Sequence, residues 1–161
     1  MRESMKIRKL KNKDREKIIK ILKETDMFTE EEINVATELI DEFLAKDEES
    51  GYEIYTAVDD ADNPSGYICF GKRPLTQGTY DIYWIAVEPS LQGNGIGKNL
   101  MKFTEQKIKE KGGTLILVET SSQEKYLKTR LFYKSCGYEE VARIKDFYKV
   151  GDNLIIFAKY I

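Results

Sequence analysis

The spacing of apolar positions changes period several times along this chain. After a β-rich opening, "MKIRKL", Ile18, Ile19 and Leu22 recur at helical spacing, with Asp14 where a helix cap is expected. A second helix is better marked. Thr29 and Glu32 have the spacing of a capping box, and Phe28 and Ile33 that of a hydrophobic staple; Ile33, Ala36, Ile40, Phe43 and Leu44 share one face. The period then drops to two. "YEIYTAV" (52–58) and "GYICFGK" (66–72) flank the turn formers "DDADNPS" and predict a hairpin. A third strand, "YDIYWIAV" (80–87), leads through "EPSLQGNGIGK" to a helix marked by Ile96, Leu100, Met101, Phe103 and Ile108 and closed by Gly112-Gly113. "TLILVET" (114–120) reads as a buried strand. Residues 124–136 read as a helix ended by Gly137, and 138–144 and 153–160 as closing strands linked by "KDFYKVGDN".

The predicted order is β-α-α-β-β-β-α-β-α-β-β. Strand, glycine loop, helix, strand in the middle implies a parallel pair with a crossover, and the hairpins on either side imply antiparallel pairing. The expected class is α/β (α+β), with a mixed, mostly antiparallel sheet of about seven strands, a central parallel pair and about four helices. No repeat, linker or low-complexity tract divides residues 1–161, so one domain is expected.

Composition narrows the chemistry. The chain has no histidine, which excludes a Ser-His-Asp triad, a Cys-His pair and any His-ligated metal. Cys69 and Cys136 have no metal-ligand spacing and read as small core residues of a reduced, cytoplasmic protein; no metal is expected. No apolar run spans a membrane, and "MRESMKIRKLKNKD" lacks the apolar core of a secretion signal. Net charge is −2 but unevenly spread: residues 1–23 carry ten Lys/Arg against three acids, and residues 24–62 carry Lys46 against fifteen acids. Two explanations stand: a solvated helix face with an acidic loop, or an acidic surface for a cationic substrate. Nucleic-acid binding is not expected, because the basic stretch is short and lacks interleaved aromatics.

The glycine-rich stretch "LQGNGIGK" (91–98) is the strongest motif. A Walker A loop fails here at Gln92 and Asn99. A dinucleotide fingerprint fails at Lys98 or Leu100, depending on which glycine starts it. Gln/Arg-x-x-Gly-x-Gly/Ala, after a strand and opening a helix, matches Gln92, Gly95 and Gly97. Backbone N–H groups freed of side chains, a helix N-terminus and Lys98 together suit a pyrophosphate. Alone, such a loop is equally a turn without a ligand.

With "IAVEPSLQGNGIGKNLM" followed downstream by "RLFYKSCGYEEV", the chain resembles the GNAT superfamily of acetyl-CoA-dependent N-acetyltransferases, from about residue 5 to the end. The resemblance implies acetyl-CoA as co-substrate, its pyrophosphate on Gln92, Gly93, Asn94, Gly95, Ile96, Gly97 and Lys98. It implies that the pantetheine arm pairs with Ile85, Ala86 and Val87, the Val87 N–H bonding the thioester oxygen. It places the general acid at Tyr133, before Gly137-Tyr138; a phenol is protonated at neutral pH, as an acid must be. Its alternative is a core aromatic, since of the adjacent Phe132 and Tyr133 at most one faces a buried stripe. One departure stands out: many members carry Asn seven residues before that tyrosine, where this chain has Tyr126, with Ser121 or Ser122 as weaker substitutes.

For the base, the candidates are Glu119 at the end of "TLILVET", Asp81 on "YDIYWIAV", or water with no dedicated base. In the resemblance the fourth and fifth strands splay apart near Glu119. The acceptor wall falls on the first two helices, including Glu32, and on the loop between the last strands, including Asp146, Phe147, Tyr148 and Asp152; Tyr83 is a further acceptor contact. The implied reaction moves acetyl directly to a primary amine of a small molecule or peptide, in a ternary complex, with a polycation such as a polyamine or aminoglycoside among the candidates. The resemblance also allows a homodimer through an exposed sheet edge. The rival readings are a CoA-binding regulatory or sensor module without turnover, and an interaction domain that binds no CoA.

Overall fold

The structure, a computed structural model, describes residues 5–161; residues 1–4 of the basic stretch lie outside the described residues. The elements run β1 (Lys6–Lys9), α1 (Arg15–Glu24), α2 (Glu30–Lys46), β2 (Glu53–Val58), β3 (Pro64–Lys72), β4 (Thr79–Val87), α3 (Ile96–Glu110), β5 (Leu115–Ser121), α4 (Leu127–Ser135), β6 (Glu139–Lys149) and β7 (Asp152–Tyr160). The seven strands follow the order β1-β2-β3-β4-β5-β7-β6, with β4 and β5 parallel. This is the expected mixed sheet with its central parallel pair and four helices. Contacts group the chain into two compact units, residues up to Gly71 with Trp84–Thr104, and Lys72–Tyr83 with Glu105–Ile161.

In the first unit, α1 and α2 bury their apolar stripes against β2 and β3. Ile18, Ile21, Leu22, Ile40, Ile54 and Cys69 are all but inaccessible, each worth about 1.5–3 kcal/mol where a large aliphatic side chain is fully buried. The α1 stripe uses Ile21 where the spacing suggested Ile19, which is half-buried. The α2 start is as expected. Thr29 Oγ1 accepts from the Glu32 N–H and Glu32 Oε1 from the Thr29 N–H, both at 3.1 Å. Phe28 packs edge-on against Trp84 at 5.0 Å, within the cluster that holds Ile33.

Asp14 departs from its expected role. It occupies the N-cap position of α1 but makes no side-chain cap bond there. Instead it is buried, gripped by Arg8 at 2.7 and 3.0 Å, and accepts the Lys11 N–H at 2.8 Å. Part of the charge asymmetry along the chain is folded into such pairs. Arg8 and Lys13 meet Asp62, Lys9 meets Asp47, and Arg15 meets Asp41.

In the second unit β5 lies between β4 and β7, in register from Thr79–Leu115 to Ile82–Val118 on one side and from Leu115–Tyr160 to Ser121–Leu154 on the other. The closing hairpin corrects the expected link at 145–153. Strand β6 continues to Lys149, which pairs with Asp152 across Val150-Gly151. The polar "KDFYK" looks like a loop because its ladder is irregular between Ile144 and Lys149. There Asp146 turns to a φ of 56° and is held by Asn153, whose Oδ1 accepts the Asp146 N–H at 3.0 Å. Asp146, Phe147, Tyr148 and Asp152 therefore belong to strands.

Candidate active site

The first unit carries the glycine loop. After β4 the Glu88 N–H donates to the Ser65 carbonyl, and one 3-10 turn, Pro89–Leu91, swings the chain outward. Gly93 and Gly95 then take φ of 84° and 85°, the left-handed region that side chains resist. A Cβ at either would meet nothing within 4 Å, so the glycines serve the backbone path and the space beside them is open. Gln92 Nε2 donates to the Val87 carbonyl at 3.2 Å and Asn94 Nδ2 to the Leu91 carbonyl at 2.9 Å. Both side chains fold back onto the loop.

The first backbone bond of α3 runs from the Asn99 N–H to the Gly95 carbonyl at 3.0 Å. The N–H groups of Ile96, Gly97 and Lys98 therefore have no partner within the helix. The first turn of α3 carries no acid, and Lys98 is exposed in it. A cation there opposes the helix dipole and costs stability unless an anion answers both. Open space, converging donors and an otherwise misplaced lysine together fit a diphosphate. Beside the loop, Ile85, Ala86 and Val87 end β4. A Cβ on Gly66 of β3 would stand 2.8 Å from the Ala86 carbonyl oxygen, so the two backbones run tightly together there.

The second unit carries the titratable candidates. Tyr133, in the last turn of α4, is buried while its neighbour Phe132 is half-buried, which settles which of the two fills the stripe. Its ring lies 6.0 Å from Phe157 and 6.3 Å from Tyr138. Burial pushes its phenol well above the ordinary tyrosine range and keeps the proton on the oxygen. Cys69, in the other unit, is likewise pushed up by burial, which suits a packing thiol and not a nucleophile.

Asp81 and Glu119 come together around a residue that the sequence reading passed over. Arg73, in the turn between β3 and β4, places Nη2 2.7 Å from Asp81 Oδ1 and 3.8 Å from Glu119 Oε1. Asp81 is buried, whereas the Glu119 side chain is 47% exposed just beyond the last β4–β5 pair. Nothing local marks Arg73. Its placement follows from the turn, in which its N–H donates to the Thr79 carbonyl at 2.8 Å and Thr76 Oγ1 donates to the Arg73 carbonyl at 2.7 Å. Glu119 pairs with Ile156, so it projects from the face opposite Phe157, against which Tyr133 packs. The carboxylates and the phenol thus occupy different faces of the β5–β7 ladder.

The remaining candidates divide. Tyr83 is 40% exposed, two residues after Asp81 on β4. Tyr148 is exposed on β6, edge-on to Phe147 at 5.0 Å. Glu32 has its carboxylate engaged in the α2 capping box. Ser121 donates to Asp152 and accepts the Gln123 N–H, and Ser122 accepts the Asn153 N–H, so both hydroxyls are engaged locally.

Comparison with known proteins shows the family and the fold. Residues 15–138 match the acetyltransferase (GNAT) family. A structure from Desulfovibrio desulfuricans, described as a GNAT-family acetyltransferase, is 38% identical over 98% of this chain and 99% of its own, with a TM-score of 0.94. An aminoglycoside 6'-N-acetyltransferase complexed with coenzyme A shares the fold at 17% identity, 96% of each chain and a TM-score of 0.73. The ribosomal-protein-S18-alanine N-acetyltransferase of Escherichia coli does so at 17% identity, 98% and 94% coverage and a TM-score of 0.72. No curated protein matches. On the family match and the 38% relative together, the chain belongs to the GNAT family of acetyltransferases.

Proposed function

We propose that this chain transfers acetyl from acetyl-CoA to a primary amine, with both substrates bound at once. The observation that carries the reading is the loop at 92–98, whose backbone donors, helix terminus and Lys98 all suit a diphosphate. A relative of the same fold is complexed with coenzyme A, which supports the same cofactor here. Acetyl-CoA supplies an activated acetyl thioester. In the transfer a C–S bond breaks and a C–N bond forms; the amine gives up one proton and the leaving thiolate takes one.

Tyr133 supplies the proton to the thiolate. Its buried phenol is protonated at neutral pH, as this role requires. Glu119 takes the proton from the amine through water, since it and Tyr133 lie on different faces of the β5–β7 ladder. It is the more accessible of the two carboxylates, and its approach to Arg73 is long, whereas Asp81 is buried with an oxygen already held. A cationic acceptor suits the exposed Glu30, Glu31 and Glu38 of α2.

The first test is thermal unfolding with acetyl-CoA, CoA, NAD and ATP, each in large excess. A ligand at about 100 times its Kd adds about 2.7 kcal/mol, several degrees in a domain of this size. Shifts with acetyl-CoA and CoA alone are expected, followed by thiol release with an amine panel that includes a polyamine and an aminoglycoside. No shift with either overturns the cradle. Binding without release from any amine favours a regulatory module.

A further inference from the structure

Helix α4 is short of apolar anchorage. Where α2 buries Ile33, Ala36, Ile40 and Phe43, α4 buries Tyr133 alone, and its Leu127 and Leu131 are exposed. Few buried apolar contacts leave an element free to shift. Polar ties hold this one instead, on either side of Tyr133. After it, Lys159 of β7 donates to the Cys136 carbonyl at 2.9 Å, a cap that any helix end accepts. Before it, Arg130 makes a tie that no helix terminus calls for. Its Nη1 leaves its own helix and donates to the Ser121 carbonyl at 2.9 Å and to the Gln123 carbonyl at 2.8 Å. The chain it grips is itself well held. Ser121 Oγ donates to the buried Asp152 carboxylate and accepts the Gln123 N–H at 3.0 Å. Ser122 exchanges two bonds with Asn153 of β7, at 3.0 and 2.8 Å.

We propose that Arg130 is a positioning residue for the acid step: gripping the end of β5 from one helical turn before Tyr133, it fixes how far along the sheet α4 sits, and so where the Tyr133 hydroxyl meets the leaving thiolate. This rests on the acetyl-transfer reading with Tyr133 as acid. When the C–S bond breaks, the sulfur keeps the electron pair and takes the phenol's proton, which water later returns to the oxygen. Arg130 supplies no proton to that step. Its partners are neutral backbone carbonyls, so the tie serves place and not charge. It acts through the helix, and its effect on the reaction exists only while Tyr133 has a hydroxyl to place.

The test is a double-mutant cycle read in kcat. Arg130→Met keeps a long unbranched side chain and removes both bonds. Alone it is expected to lower kcat about 10–100-fold, the scale for misplacing a reacting group by about 1 Å, with the KM for acetyl-CoA within about twofold. In the Tyr133→Phe background the same substitution is expected to cost less than about twofold. Arg130→Lys, which keeps a single donor group, should recover most of the loss. Equal losses from Arg130→Met in both backgrounds overturn the proposal, because a merely structural effect does not need the hydroxyl. An unchanged kcat in Arg130→Met overturns it as well. If Arg130→Met does not fold, the cycle is run with Arg130→Lys, whose smaller loss must also vanish without the hydroxyl. Failure of the underlying reading looks different. A native chain that binds acetyl-CoA but releases no thiol with any amine overturns that reading and this proposal together, whereas turnover with equal losses overturns the proposal alone.

Discussion

The loop at 92–98 and the cluster around Arg73 are made of opposite materials. The loop presents backbone, its two amide side chains folded back onto carbonyls. The cluster presents side chains, placed by a turn and by strand register. A backbone site binds through donors that no substitution but proline removes; otherwise it is spoiled only by bending the chain. A side-chain site is lost atom by atom. Substitutions should therefore divide kinetically, with loop variants changing affinity for acetyl-CoA and variants at Tyr133 or Glu119 changing turnover.

The largest effect is expected at Tyr133. Tyr133→Phe keeps the ring packed against Phe157 and Tyr138 and removes only the hydroxyl. Loss of a positioned general acid costs about 10²–10⁴ in kcat, while the KM for acetyl-CoA should stay within about twofold. Steady-state kinetics check this. Equal losses in kcat and in affinity would erase the division and return Tyr133 to a packing role.

Next is Gly95→Val. A β-branched residue at a φ of 85° meets no obstacle but resists the conformation. The strain of about 1–2 kcal/mol, if the loop shifts to escape it, weakens acetyl-CoA about 5–30-fold, with kcat at saturation nearly unchanged. Smaller still, Lys98→Ala should weaken binding only a few-fold and flatten its salt dependence, because an exposed point charge is screened. Calorimetric titration at two salt concentrations measures both. A loss in Lys98→Ala larger than in Gly95→Val would mean that side-chain charge, and not backbone, holds the ligand.

The same contrast explains what was legible in the sequence. Loop and helix signals are local. "LQGNGIGK" between a strand and an apolar helix can be read in one window, as can the Thr29–Glu32 capping box and the seven strands with their parallel pair. The Arg73 cluster cannot. Asp81 and Glu119 were identified one at a time from their strands, but the cation between them lies in a turn with no motif, and only register brings the three together. Where polar residues sat in a strand, as in Lys145–Lys149, composition suggested a loop and pairing with β7 decided otherwise. Asp14 has the right residue type for a cap, yet Arg8 of β1, six residues before it, holds its carboxylate.

The smallest effect is on stability, and it separates the two regions by pH. Burial raises the phenols of Tyr67, Tyr133 and Tyr138 above the usual range, for Tyr138 with help from the nearby Glu105 carboxylate. An unfolded tyrosine releases its proton near pH ~10. Above that pH the folded chain still holds these protons and the unfolded chain does not, so stability falls as pH rises. Below it the three groups contribute no slope. Each costs up to about 1.4 kcal/mol per pH unit above ~10. Tyr133→Phe removes one of the three, so its urea midpoint between pH 10 and 11 should decline less steeply than that of the native chain, by about 1 kcal/mol in stability. Gly95→Val, in a loop with no buried titratable group, should keep the native slope. If Tyr133→Phe keeps it too, burial does not raise the Tyr133 phenol in the folded chain, which still carries its proton at neutral pH as any tyrosine does.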